Sequence, residues 1–289
     1  MSLASPDVGS TSRGGLPWAR VALVGVIAGF TSGLFGVGGG IVIVPTLVLL
    51  AGFPHKLATG TSLSAIVPIS ISGIIGYATA GEIDWAAAGC VATGAVVGAV
   101  VGTRWLVRIN PPILQLAFAG VMLLTAARMF VADGDGAGRT DLTLAMALAL
   151  LVLGLVSGIL AGLLGVGGGI IIVPVLTLAF GIPHVVAKGT SLAVILPTAV
   201  IGTIRNRRSQ LTALAPAAVV GVAGIASAFA ASKLSLELDP AVSQALFAGL
   251  LTTVAVGLAR TGVLGLRAER AGGGADPPSG RVPVDTGEA

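Results

Sequence analysis

A chain of 289 residues with 55% apolar and 10% charged side chains, and a mean hydropathy of +1.01, is composed for lipid rather than water. Its net charge of +4 comes from Lys and Arg residues that flank apolar segments instead of clustering with aromatics, which argues for membrane-flank anchoring and against a nucleic-acid surface. The single cysteine, Cys90, lies in an apolar run and has no partner for a disulfide or a metal cluster.

In chain order, residues 1–17 form a polar stretch without a cleavage signature, expected to be a retained cytoplasmic tail. Residues 18–131 hold five apolar segments, near 18–35, 41–52, 61–80, 85–106 and 112–131. A hydrophilic linker, 132–141, follows. Residues 142–264 repeat the pattern at 142–164, 170–181, 190–204, 211–232 and 241–260, and residues 265–289, rich in Gly, Pro and Asp toward the end, read as a disordered cytoplasmic tail. Windows 21–54 and 142–183 carry no ionisable side chain. They exceed the roughly 20 residues that span hydrocarbon as a helix, and a β-barrel would show short alternating segments instead. The expected fold is an all-α polytopic membrane protein of about 8–10 helical segments in the cell (inner) membrane. The second segment of each set has only twelve residues, about 18 Å of helix, little more than half of a hydrocarbon core about 30 Å thick.

The two sets are copies. Gly33 to Pro45, GLFGVGGGIVIVP, returns 129 residues later as GLLGVGGGIIIVP, Gly162 to Pro174, and 22 of the 35 positions from Leu34 to Pro68 recur without a gap. Their flanking charges are opposite. After the third segment Glu82 and Asp84 correspond to Arg205, Arg207 and Arg208; after the fourth, Arg104 and Arg108 correspond to Lys233, Glu237 and Asp239. The positive-inside rule then predicts two inverted repeats. Inversion needs an odd number of crossings, so either all five segments cross or the first two form a re-entrant pair. The sequence leaves both open.

Glycine interrupts the repeat at Gly36, Gly38, Gly39 and Gly40 and again at Gly165, Gly167, Gly168 and Gly169. At about 1 kcal/mol each in a helix interior, these predict a chain break followed by a helix N-terminus, with Pro45 and Pro174 near its first turn. Free N–H groups and a partial positive charge suit an anion there. A dinucleotide fingerprint fails at Ile41, where glycine is required. Gly25, Gly29 and Gly33, like Gly94, Gly98 and Gly102, lie four apart and read as helix-packing positions.

Thr61 and Ser62, with Thr190 and Ser191, supply hydroxyls that either cap the third segment or reach a ligand. If both, a second helix N-terminus per repeat faces the same cavity. His55 and His184 occupy equivalent positions and suit proton coupling or gating, or a turn at the membrane surface. Apart from these histidines, Lys56 and Lys188, all near one end of a segment, no ionisable residue lies deep in the apolar runs. No catalytic motif, metal-ligand spacing or cofactor fingerprint occurs, so no enzyme, metal or cofactor is expected.

The motif G-x-G-G-G-x-x-x-x-P followed by P-H-x-x-A-x-G-T-S, present twice between about 20 and 262, resembles the TauE/SafE family of sulfite or organosulfur-anion exporters. The resemblance implies an inner-membrane permease for small anions driven by a coupling proton or cation, with a homo-oligomer open. The expectation is therefore a secondary transporter working by alternating access between the repeats; an anion channel or a membrane scaffold is the alternative.

Overall fold

A computed structural model describes residues 18–105, 143–165, 167–208 and 212–272, with scattered positions between 116 and 127. Nine helices are delimited: α1 Trp18–Phe35, α2 Gly40–Ala51, α3 His55–Ala78, α4 Trp85–Trp105, α5 Leu144–Leu164, α6 Gly169–Phe180, α7 His184–Arg208, α8 Leu214–Glu237 and α9 Pro240–Gly272. The described positions between 116 and 127 are also helical, and no strand occurs among the described residues. Six helices are long and apolar enough to cross a membrane. The N-terminal tail, the linker 132–141 and residues 273–289 lie outside the described residues.

Two boundaries differ from the sequence expectation. The third segments begin at His55 and His184 rather than at 61 and 190. Pro54, with ψ 140, ends the extended approach, and residues 55–60 contain no proline and a single glycine, Gly60, whose cost of about 1 kcal/mol the packed helix absorbs. Thr61 and Ser62 therefore sit two turns inside α3 and cannot cap it, and the second N-terminus expected to open at those hydroxyls does not exist. At the other end α9 continues to Gly272, so residues 265–272, assigned to the tail, are helical.

The copies interlock by exchange. The glycines of α1 pack on α8: a Cβ added at Gly25, Gly29 or Gly33 would lie 2.2–2.3 Å from the carbonyl oxygens of Val220, Gly224 and Ala228. Gly154 and Gly158 of α5 meet Val91 and Ala95 of α4 at 2.0 Å in the same way, each pair displaced by 129 residues. Only glycine allows such approach, and in lipid close backbone packing replaces the hydrophobic drive. Numbers rise together in both pairs, so α1 runs parallel to α8, and α5 to α4. Helix α3 also parallels α8, since Gly221 meets Pro68 and Gly76 meets Ser232. By contrast Gly73 meets Leu192 and Gly202 meets Leu63, so α3 and α7, the same segment of the two copies, run antiparallel.

After α1 the chain doubles back. A Cβ on Gly39 would lie 2.6 Å from the Ala28 carbonyl oxygen, and Val21, Val24 and Ala28 share a buried cluster with Ile43, Val44 and Leu47 of α2. Gly168 lies against Ser157 in the same fashion. Each short helix is thus the returning arm of a hairpin whose tip is the glycine run.

Candidate functional site

Both glycine runs break the helix up to Gly39 and Gly168, as their composition requires. Gly36, Gly38 and Gly39 have φ of 69, 83 and 74, and Gly165, Gly167 and Gly168 have 69, 85 and 78. These are left-handed values at which a side chain is strained. Helices α2 and α6 then begin at Gly40 and Gly169. Pro45 and Pro174 are each the sixth helical residue, past the first turn where they were expected. There they remove an internal hydrogen bond from each half-helix.

The structure brings the two runs together. A Cβ on Gly169 would lie 2.7 Å from the Gly36 carbonyl oxygen, and Gly38 and Gly167 both abut the Cγ2 methyl of Ile195 at 3.1 Å from such a Cβ. Ile66, the counterpart of Ile195, lies beside Gly38 at 3.5 Å. Both isoleucines are fully buried and fill the space between the breaks.

The four predicted hydroxyls cross between copies. Ser62 Oγ donates to the Gly165 carbonyl at 3.1 Å, and Ser191 Oγ donates to that of Gly36 at 2.8 Å. Thr61 Oγ1 accepts from the Ala213 N–H and Thr190 Oγ1 from the Asp84 N–H, each at 3.0 Å. All four residues are fully buried. Every bond has a twin displaced by 129 residues, so each break is held by the other copy. Ser62→Ala and Ser191→Ala each leave a buried carbonyl without its partner. Each is expected to lower unfolding free energy by about 1–3 kcal/mol, read as a shift in the thermal melt of the detergent-solubilised protein, with the double variant nearly additive.

His55 opens α3, and its side chain lies outside the described residues. His184 is buried edge-on to Phe247 with ring centroids 5.6 Å apart, and neither ring nitrogen has a hydrogen-bond partner.

Sequence reasoning missed Lys188. Placing the helix start at 190 left it outside, whereas α7 begins six residues earlier and carries it fully buried, one turn after His184. Its ammonium donates to Ser235 Oγ at 2.8 Å and to Ser243 Oγ, and Ser235 donates to the Leu34 carbonyl at 3.1 Å. That carbonyl belongs to the last turn of α1, whose negative dipole end favours a cation. The backbone of Lys188 packs on Gly36, and Thr59, its counterpart, packs on Gly165. The repeat alignment contained the signal: a lysine in one copy where the other has threonine.

Among the described residues no group of three or more His, Cys, Asp or Glu could hold a metal ion. Residues 1–129 and 150–283 match the family described as sulfite exporter TauE/SafE. A probable membrane transporter protein of Haemophilus influenzae is 35% identical over 177 residues, 58% of this chain and 66%, just under two thirds, of that protein. The probable membrane transporter protein YunE of Bacillus subtilis is 27% identical over 209 residues, 64% of this chain and 77% of its own length. The archaeal MJ0441 of Methanocaldococcus jannaschii, also called a probable membrane transporter protein, is 29% identical over 197 residues, 66% of this chain and 71% of its own. No solved structure matches. The family match spans both copies and both glycine breaks, and this multi-pass membrane protein belongs to the TauE/SafE family.

Proposed function

We propose that the protein is a secondary transporter that carries small anions such as sulfite or organosulfonates across the cytoplasmic membrane, by alternating access at the paired breaks. The observation that carries this reading is the meeting of two chain breaks at the interface of the copies, each opening a half-helix and each fastened by a serine of the other. Half-helix N-termini facing a repeat interface are the arrangement by which transporters hold anionic groups.

The helix directions support an inverted pair. With α3 antiparallel to α7, the inverted reading sorts the flanking charges by sign with one exception, Lys233. Arg20, Arg104, Arg205, Arg207, Arg208, Arg260 and Arg267 fall on one side, and Glu82, Asp84, Lys233, Glu237 and Asp239 on the other. The arginine face is then cytoplasmic. Each α1–α2 or α5–α6 hairpin enters and leaves by the same face, which favours the re-entrant alternative and, with it, an odd number of crossings. The family description names sulfite and the relatives are called transporters, which supports the class of cargo. Ile66 and Ile195, filling the space between the breaks, suit a carrier that seals during its cycle better than an open channel.

Reconstituted in liposomes, the protein is expected to give saturable flux and counterflow for at least one of sulfite, ethanesulfonate, sulfate or acetate. Flux that rises linearly without counterflow would make it a channel. No flux of any of the four from protein that melts cooperatively would overturn the reading.

A further inference from the structure

The two breaks differ in what stands beside them. Lys188 and His184 lie four residues apart in the first turns of α7, so their side chains share one face of the helix. Their counterparts in the other copy are Thr59 and His55. Both are buried, Lys188 completely. A Cβ on Gly189 would lie 2.2 Å from the Glu82 carbonyl oxygen, and Thr190 Oγ1 accepts from the Asp84 N–H, so this end of α7 lies beneath the loop after α3. Lys188 is thus set between that loop and the first break, where Gly36 packs on its backbone.

The partners of the ammonium decide what it can do. A carboxylate would hold it charged, because an ionised carboxylate only accepts, whereas a hydroxyl both accepts and donates. Ser235 Oγ donates to the Leu34 carbonyl at 3.1 Å and accepts from Lys188 at 2.8 Å. Ser243 Oγ also accepts from Lys188, and among the described residues its own hydrogen is committed to nothing. Rotating that one hydroxyl lets it donate to the lone pair of a neutral amine. The site therefore satisfies a lysine nitrogen carrying three hydrogens or two. One turn nearer the loop, both ring nitrogens of His184 are buried without a hydrogen-bond partner, and a neutral imidazole keeps one lone pair able to take a proton.

The other titratable groups on the elements around Lys188 have partners of their own. Tyr77 on α3 donates to the Gly33 carbonyl, Asp84 accepts from the Ala87 N–H, Lys233 on α8 donates to Thr79, and Asp239 accepts from the Ala241 and Val242 N–H groups. Glu82 is half-buried in the loop, and Glu237 is exposed on α8. Helix α6 has no titratable side chain, and α1 has only Arg20, at its other end.

We propose that Lys188 is the proton-carrying site that couples to anion movement, with His184 as its relay to the loop after α3 and Ser243 as the hydroxyl that turns to fit each charge state. On unloading, a proton leaves Nζ for the lone pair of a His184 ring nitrogen, giving a neutral amine and an imidazolium. The imidazolium then passes it to water beyond the loop, and loading runs in reverse. An anion at the first break favours the ammonium, so proton and anion promote each other's binding. This deepens the transporter reading and rests on it for the anion.

Two measurements on the full chain test it. With a pH-indicator dye in weakly buffered detergent, ethanesulfonate is expected to drive uptake of up to about one proton per protein, since linked ligands act reciprocally. Lys188→Met should take up none. In liposomes, Ser243→Ala and His184→Gln should keep ethanesulfonate counterflow, which moves no net proton, and slow accumulation driven by an imposed pH gradient several-fold. A merely structural role would lower both together, and that result would remove the relay and the turning hydroxyl. Proton uptake that survives Lys188→Met, or ethanesulfonate counterflow in the parent with no proton uptake, would overturn the coupling site and keep the transporter. Uptake abolished by Lys188→Met, with no counterflow of any anion, would keep the site and remove the transporter. Neither uptake nor counterflow with ethanesulfonate also overturns the coupling site, and flux of the other anions then decides the transporter reading.

Discussion

Gly39→Val is expected to abolish anion flux and to lower the melting temperature by roughly 5–10 °C, from a loss of about 2–3 kcal/mol at about 2–4 °C per kcal/mol. Two causes add. The backbone holds φ at 74, which costs a side chain about 1–2 kcal/mol, and the new Cβ would press within 2.6 Å of the Ala28 carbonyl oxygen, a backbone atom with no freedom to yield. The hairpin of α1 and α2 would have to open, moving the N-terminus of α2 away from its partner. Gly168→Val should be milder, because its nearest backbone atom, the Ser157 carbonyl oxygen, is 3.0 Å from the added Cβ. Gly52→Ala separates torsion from crowding: φ is 65, yet nothing lies within 4 Å. It should cost the torsional part alone and leave flux intact.

Lys188→Met is expected to reduce flux at least tenfold while leaving the melting temperature unchanged or raised. Lys188 is the one fully buried cationic residue among the described residues, and it has no carboxylate partner there. Desolvating an ammonium costs several kcal/mol, and two hydroxyls with one helix end offset only part of that, so an apolar side chain of similar length is tolerated or preferred. A residue that costs stability at such a place is held there by function. Its backbone touches the first break, and its charge raises the potential where an anion would sit. Unchanged flux with a raised melting temperature would make Lys188 a packing relic with no part in transport.

Much of this architecture was legible in the residues. Glycine at 36, 38 and 39 marks a break because no other side chain adopts those torsions cheaply, and the 129-residue echo marks the second break. The spacing of Gly25, Gly29 and Gly33 identified a packing face, though not which helix it meets. That partner, α8, belongs to the other copy, and pairing across copies leaves no local pattern. The hydroxyls at 61, 62, 190 and 191 read as caps of the third segment or as ligand contacts, and their bonds to Gly165, Gly36, Ala213 and Asp84 are long-range and follow only from assembly. Starting the third segments six residues late had the largest consequence. It turned Lys188 into a segment-end residue and the hydroxyls into caps. A helix start after proline here runs through Gly60 and Gly189, and tertiary packing that outweighs one glycine leaves no periodic pattern to read.

The central claim is that the two copies enter the membrane from opposite faces and bring their breaks together. The most direct measurement is labelling by an impermeant maleimide in sealed, oriented vesicles, using Ala80→Cys and Arg208→Cys in the Cys90→Ser background. Both positions are exposed and follow or close the equivalent helices α3 and α7. The account expects Arg208→Cys to react only from the cytoplasmic side and Ala80→Cys only from the opposite side. Reaction of both from the same side would contradict it.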